Sequence, residues 1–157
     1  MFKKYYLAYG SNLNLSQMTY RCPSAKPIGT INLEDYRLVY KGSRDEYSYL
    51  TIEKCEGYCV PLGLYEVTVL DIYALDQYEG YPRLYSKHYV PVKIGDKTKK
   101  AIIYVMNHDF NYHIPSLKYI HTCMDGYEDF WFDKSILEKA LIDTLDNISK
   151  ELVKKIK

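Results

Sequence analysis

Tyr5 to Asn14 reads YYLAYGSNLN. An aromatic and apolar run stops at Gly10 and yields to small polar residues, the pattern of a strand that enters a tight loop and then a helix. Lys3 to Tyr9 is the expected first strand, with a short helix or turn from Asn14 to Arg21. From Ala25 to Val67 the chain runs in short β-favouring stretches: Ile28 to Leu33, Tyr36 to Lys41, Tyr49 to Glu53 and Val60 to Val67. Lys-Gly, Glu-Gly and Pro break them, so several antiparallel strands are expected. Thr68 opens a different period. Val69, Ile72 and Leu75 recur every third position and Asp71 follows a Thr68 cap, so a helix is expected to end near Tyr78 to Gly80.

Strand character returns from Leu84 to Ile94 and from Lys99 to Met106 around Gly95-Asp96, which reads as a hairpin. A further helix is expected with Pro115 at its first position and Gly126 at its C-terminal cap. Asp133 or Ser135 then caps a long amphipathic helix, Glu138 completing a capping box with Ser135. Its apolar face, Ile136, Leu137, Ala140, Leu141, Leu145, Ile148, Leu152, Val153 and Ile156, is expected to lie against the body. Strands and helices interleave without repeated βα alternation. The expected class is α+β, with a curled, mostly antiparallel sheet.

At 157 residues, the expectation is one domain spanning 1–157. A net charge of +1 leaves no strong field for nucleic acid or anionic lipid. No stretch approaches the roughly 20 apolar residues that span a bilayer, and the opening lacks the pattern of a secretory signal, so a cytoplasmic location is expected. Cys22, Cys55, Cys59 and Cys123 are expected as free thiols, and the four histidines form no paired zinc-ligand spacing, so no metal site is expected. Glycine-rich nucleotide loops are missing, so nucleotide binding through such a loop has no support. The 19 tyrosines read as packing residues of a sheet-rich protein.

Three stretches have chemical interest. In Tyr9-Gly10-Ser11-Asn12-Leu13, glycine permits a tight turn, and successive N–H groups there form a concavity for an anion or developing oxyanion. The plainer alternative is that Ser11 or Asn12 caps the following helix. Glu79, in LDQYEGYP, sits at a predicted helix C-terminus, where a carboxylate is disfavoured by ~0.3–1 kcal/mol. The same field raises its pKa toward that of a general base; a solvated turn residue is the alternative. Tyr119, in PSLKY, stands one turn into a helix, where its phenol can bond a ligand or simply pack.

In this order, YGSNL after the first strand, LYEVT followed by LDIYALDQYEG, and PSLKY ahead of a glycine-containing turn resemble the gamma-glutamylcyclotransferase-like family from about Tyr6 to Leu141. The resemblance implies a small, mixed, barrel-like sheet with flanking helices. It implies that Tyr9, Gly10, Ser11, Asn12 and Leu13 line a pocket whose backbone amides hold the substrate. Glu79 would be the catalytic residue, Tyr119 a pocket residue and Tyr85 a further one.

The implied reaction is intramolecular and cofactor-independent: the α-amine of a γ-glutamyl group attacks its own side-chain amide, releasing 5-oxoproline and an amino acid or amine. No protein nucleophile is required, in keeping with a sequence that has no Ser-His or Cys-His motif. The implied partner is a small γ-glutamyl compound bound by a monomer or homodimer. Two alternatives stand beside it: a non-catalytic small-ligand module of the same fold, and a relative acting on γ-glutamyl amines or an acylated natural product.

Overall fold

The computed structural model describes residues 2–43 and 48–157. Tyr5, Tyr6, Leu7 and Ala8 are all buried, with no polar residue between them, which suits a strand covered on both faces. Accordingly β1 (Lys4–Ala8) lies inside a six-stranded sheet of order β4-β5-β1-β3-β2-β6. The other strands are β2 (Lys26–Gly42), β3 (Ser48–Val67), β4 (Tyr85–Ile94), β5 (Lys97–Met106) and β6 (Asn111–Tyr112). β1 runs parallel to β5; the remaining pairings are antiparallel. The helices are α1 (Leu15–Arg21), α2 (Val69–Tyr78), α3 (Leu117–Asp129) and α4 (Ser135–Ile156), and the class is α+β.

The four short strands expected between Ile28 and Val67 are two long ones. Their breaks survive as a corner. Glu34 pairs with Cys59 and Tyr36 with Lys54, so Cys55 to Tyr58 bulge opposite Asp35. Gly57 takes a left-handed φ of 87°, Asp35 one of 62°, and the Gly57 amide donates to Asp35 Oδ1 at 3.1 Å. Beyond this corner the β2–β3 ribbon folds over the sheet. Met106 N–H then donates to Thr51 Oγ1 at 3.0 Å and the Tyr85 hydroxyl to the Leu50 carbonyl at 2.6 Å, so β3 meets β4 and β5 past the end of β1. The sheet curls into a barrel-like form there, with Leu50 above the loop that follows β1.

Helix α2 starts where its cap residues dictate. Thr68 Oγ1 accepts from Asp71 N–H, and Asp71 Oδ2 accepts from Thr68 N–H. Ser24 Oγ also donates to Asp71, tying the chain after α1 to the same box.

The cap of α3 is Ser116, which accepts from Tyr119 N–H, and Pro115 precedes it. Gly126 is not a cap: it lies inside α3, and a Cβ there would fall 2.6 Å from Asn14 N and 2.7 Å from Leu13 C. Glycine is needed because the helix presses on the backbone of the β1–α1 loop.

The start of α4 also differs from expectation. Asp133 Oδ1 receives Ser135 N–H at 2.9 Å, and the Ser135–Glu138 box does not form. Leu137 and Ala140 are buried against the sheet, whereas Leu145, Leu152, Val153 and Ile156 are exposed. The buried residues of the helix, Leu137, Ala140, Asp143 and Thr144, all lie in its first half.

Candidate active site

Glu79 owes its position to α2. The Thr68–Asp71 box fixes the first turn, and Gly80, at φ 63°, turns the chain away at the end. Glu79 is left as the C-terminal cap residue, its amide donating to Leu75 O at 2.8 Å. Burial pushes its carboxyl up from 4.5 to about 7, and the Arg21 guanidinium opposes that rise. The direction is the one expected from a helix terminus, but loss of solvent is the leading cause.

Opposite the carboxyl, Ser11–Leu13 form a single 3-10 turn. Leu13 N–H donates to Gly10 O and Asn14 N–H to Ser11 O, both at 3.0 Å. The amides of Ser11 and Asn12 come earlier in the turn and, among the described residues, make no turn or loop backbone hydrogen bond. The Asn12 side chain spans the gap: Nδ2 donates to Glu79 Oε1 at 3.3 Å and to the Tyr6 hydroxyl at 2.9 Å, while Oδ1 receives Arg21. Together turn and acid border a cavity of about 170 Å³. Leu50, Tyr78, Tyr85, Tyr104 and Tyr119 form its walls.

The family described as gamma-glutamyl cyclotransferase, AIG2-like, matches residues 6–122. The chain belongs to this family. No curated protein sequence matches it. Among solved structures, one named gamma-glutamyl cyclotransferase is similar with a TM-score of 0.72 at 23% identity, covering 88% of this chain and 86% of that one. An uncharacterized Homo sapiens protein, loc79017, gives 0.72 at 24% identity with the same coverages. YkqA from Bacillus subtilis gives 0.70 at 19% identity, over 92% of this chain and 55% of its own. At these identities the likeness is one of fold.

In this member of the gamma-glutamyl cyclotransferase, AIG2-like family, Glu79, Tyr9, Gly10, Ser11, Asn12, Tyr85 and Tyr119 border one cavity. Leu13 does not. Its side chain is fully buried beneath Gly63 and Gly126, and its amide closes the turn. Nor does Ser11 or Asn12 cap α1; that residue is Asn14, which accepts from Gln17 N–H. The hydroxyl of Tyr9 donates to Tyr104 O at 2.6 Å, and Tyr85 and Tyr119 hold the two sides of the Leu50 backbone. Tyr9 and Tyr85 spend their hydroxyl hydrogens on main-chain carbonyls and offer the cavity ring surface, whereas the Tyr119 oxygen accepts the Leu50 amide.

Tyr6, Tyr78, Tyr104 and Leu50 also line the cavity, and Arg21 reaches it through Asn12. Sequence reasoning passed over them because strand and helix periodicity explained each one locally. Tyr78, adjacent to Glu79, carried the nearest signal. Among the described residues, no group of three or more His, Cys, Asp or Glu side chains could hold a metal ion, and no helix is long and apolar enough to cross a membrane.

Proposed function

We propose that this chain is a gamma-glutamyl cyclotransferase that releases 5-oxoproline from a γ-glutamyl amino acid or amine. The observation that carries this reading is Glu79, a carboxyl raised to about 7 that shares a cavity with the Gly10–Asn12 turn. A base with that value is poised to exchange protons near neutrality. The cavity volume is about 170 Å³. It suits a γ-glutamyl group folded on itself, with the leaving group at the opening.

In this scheme Glu79 takes a proton from the substrate ammonium, freeing the amine to attack the γ-carbonyl carbon. Ring closure gives a tetrahedral intermediate whose oxyanion is met by N–H groups of Ser11 and Asn12. Because Asn12 Nδ2 donates to the Tyr6 oxygen, the Tyr6 hydroxyl hydrogen remains for the substrate. The C–N bond to the leaving group breaks as Glu79 returns the proton to that nitrogen, and the ring nitrogen, left with one proton too many by the attack, passes it to the departing amine, which leaves as an ammonium. The aromatic walls exclude water and keep the chain bent, and such alignment supports effective molarities of ~10⁵–10⁸ M.

The test is incubation with a panel of γ-glutamyl amino acids, γ-glutamyl amines and glutathione, with 5-oxoproline read by mass spectrometry. Glu79→Gln is expected to fold and to lose ~10²–10⁴ of the rate. Wild-type turnover in that variant would refute the assignment. Ligand-induced thermal stabilisation without product would point instead to a non-catalytic binding module.

A further inference from the structure

Arg21, the last residue of α1, is held at three points. One guanidinium nitrogen donates to Asn12 Oδ1, another to Gln17 Oε1 at 3.0 Å, and the group lies over the Tyr78 ring at 3.4 Å from its centroid. Arginine has donors only, so it dictates which end of the Asn12 amide faces it. Oδ1 must turn to Arg21, and Nδ2 must then turn to Glu79 and Tyr6. Were the amide reversed, its carbonyl oxygen would confront the carboxylate. Tyr78 is held in turn, its hydroxyl 2.8 Å from Ser11 Oγ.

We infer that Arg21 is a positioning residue: through the Asn12 side-chain amide it orients the Glu79 carboxylate and favours its ionised form. This rests on the cyclotransferase reading of the cavity. The other groups around Glu79 do not do the same work. Tyr6 and Tyr9 at β1, Tyr85 on β4 and Tyr104 on β5 are phenols that burial keeps protonated far above neutrality, each pushed further by Glu79 itself. Tyr119 of α3 is likewise kept protonated by burial. On α2, Asp76 is neutralised by Lys87 of β4 at 2.9 Å and accepts the Tyr104 hydroxyl. Arg21 is the charge that acts on Glu79, in the direction of ionisation.

The experiment compares wild type, Arg21→Lys, Arg21→Met and Arg21→Gln. Two readouts are taken: the pH profile of kcat/KM for 5-oxoproline release, and a direct ¹³C NMR titration of the Glu79 carboxyl, its signal identified by its loss in Glu79→Gln. In Arg21→Met the acidic limb of the profile and the NMR midpoint are expected to move upward by roughly one pH unit, the low end for losing a nearby opposite charge. At pH 6 the rate should fall about tenfold. Arg21→Lys, which keeps the charge, should restore most of the profile. Arg21→Gln keeps a donor for Asn12 without the charge, and its midpoint should move as in Arg21→Met; it serves if the methionine variant does not fold.

An unmoved midpoint in a folded neutral variant overturns the inference. So does a tenfold rise in KM with the profile in place, which would make Arg21 a substrate anchor. Lack of product from every substrate in wild type would sink the proposed function, while the NMR midpoints would still decide the role of Arg21.

Discussion

Removing the acid of this cavity should make the protein more stable in alkaline solution. The Glu79 carboxyl is raised from 4.5 to about 7 in the folded chain. Between those values the folded state keeps a proton that the unfolded chain has released, so raising the pH through that window weakens folding. Below it both states are protonated, and above it both are ionised and the penalty is constant. A difference of about 2.5 pH units at ~1.4 kcal/mol each gives ~3 kcal/mol. Partial exposure of Glu79 reduces this to about 2–3 kcal/mol.

Glu79→Gln cannot ionise and should escape the whole amount. Urea unfolding of both proteins at several pH values between 4 and 8.5 yields a difference curve in which every other titrating group cancels. The variant's advantage should grow by about 2–3 kcal/mol across the window, with equal m values, or roughly 5–10 °C in Tm at pH 8. A difference that stays flat with pH would show that Glu79 titrates like an ordinary glutamate, and the base assignment would lose its physical footing.

Two further variants probe the scaffold. Gly126→Ala adds a methyl 2.6 Å from Asn14 N, where backbone must give way. Despite a helix-propensity gain of about 1 kcal/mol, a net loss of ~1–3 kcal/mol is expected in denaturant titration. Tyr127→Phe removes a buried hydroxyl that has no hydrogen-bond partner among the described residues, and it should be neutral or stabilising by about 1 kcal/mol in the same assay.

Sequence alone exposed the site where a residue broke a local rule. Gly10-Ser11-Asn12 interrupts a strand, and Glu79 puts a negative charge at a helix end; neither choice serves its own element. Arg21, Tyr78 and Leu50 break no such rule. A basic residue suits the last turn of α1, tyrosine suits α2, and leucine suits β3, so each is satisfied locally and acquires its part only through tertiary contact. Leu13 departs from expectation for the converse reason. It belongs to the right segment, but a 3-10 turn directs its side chain into the core and uses its amide. Gly126 looked like a terminator because glycine commonly is one, whereas here the cause is a neighbouring backbone remote in sequence.

The folded-over β2–β3 ribbon has a consequence for synthesis. Tyr9 bonds to Tyr104, 95 positions away, and Leu50 is gripped by Tyr85 and Tyr119, so the cavity is walled by segments remote in sequence. A chain emerging from the ribosome has no cavity until α3 has cleared the exit tunnel. A small ligand present during translation therefore has nothing to chaperone at early stages, and its stabilising influence is confined to the last docking steps.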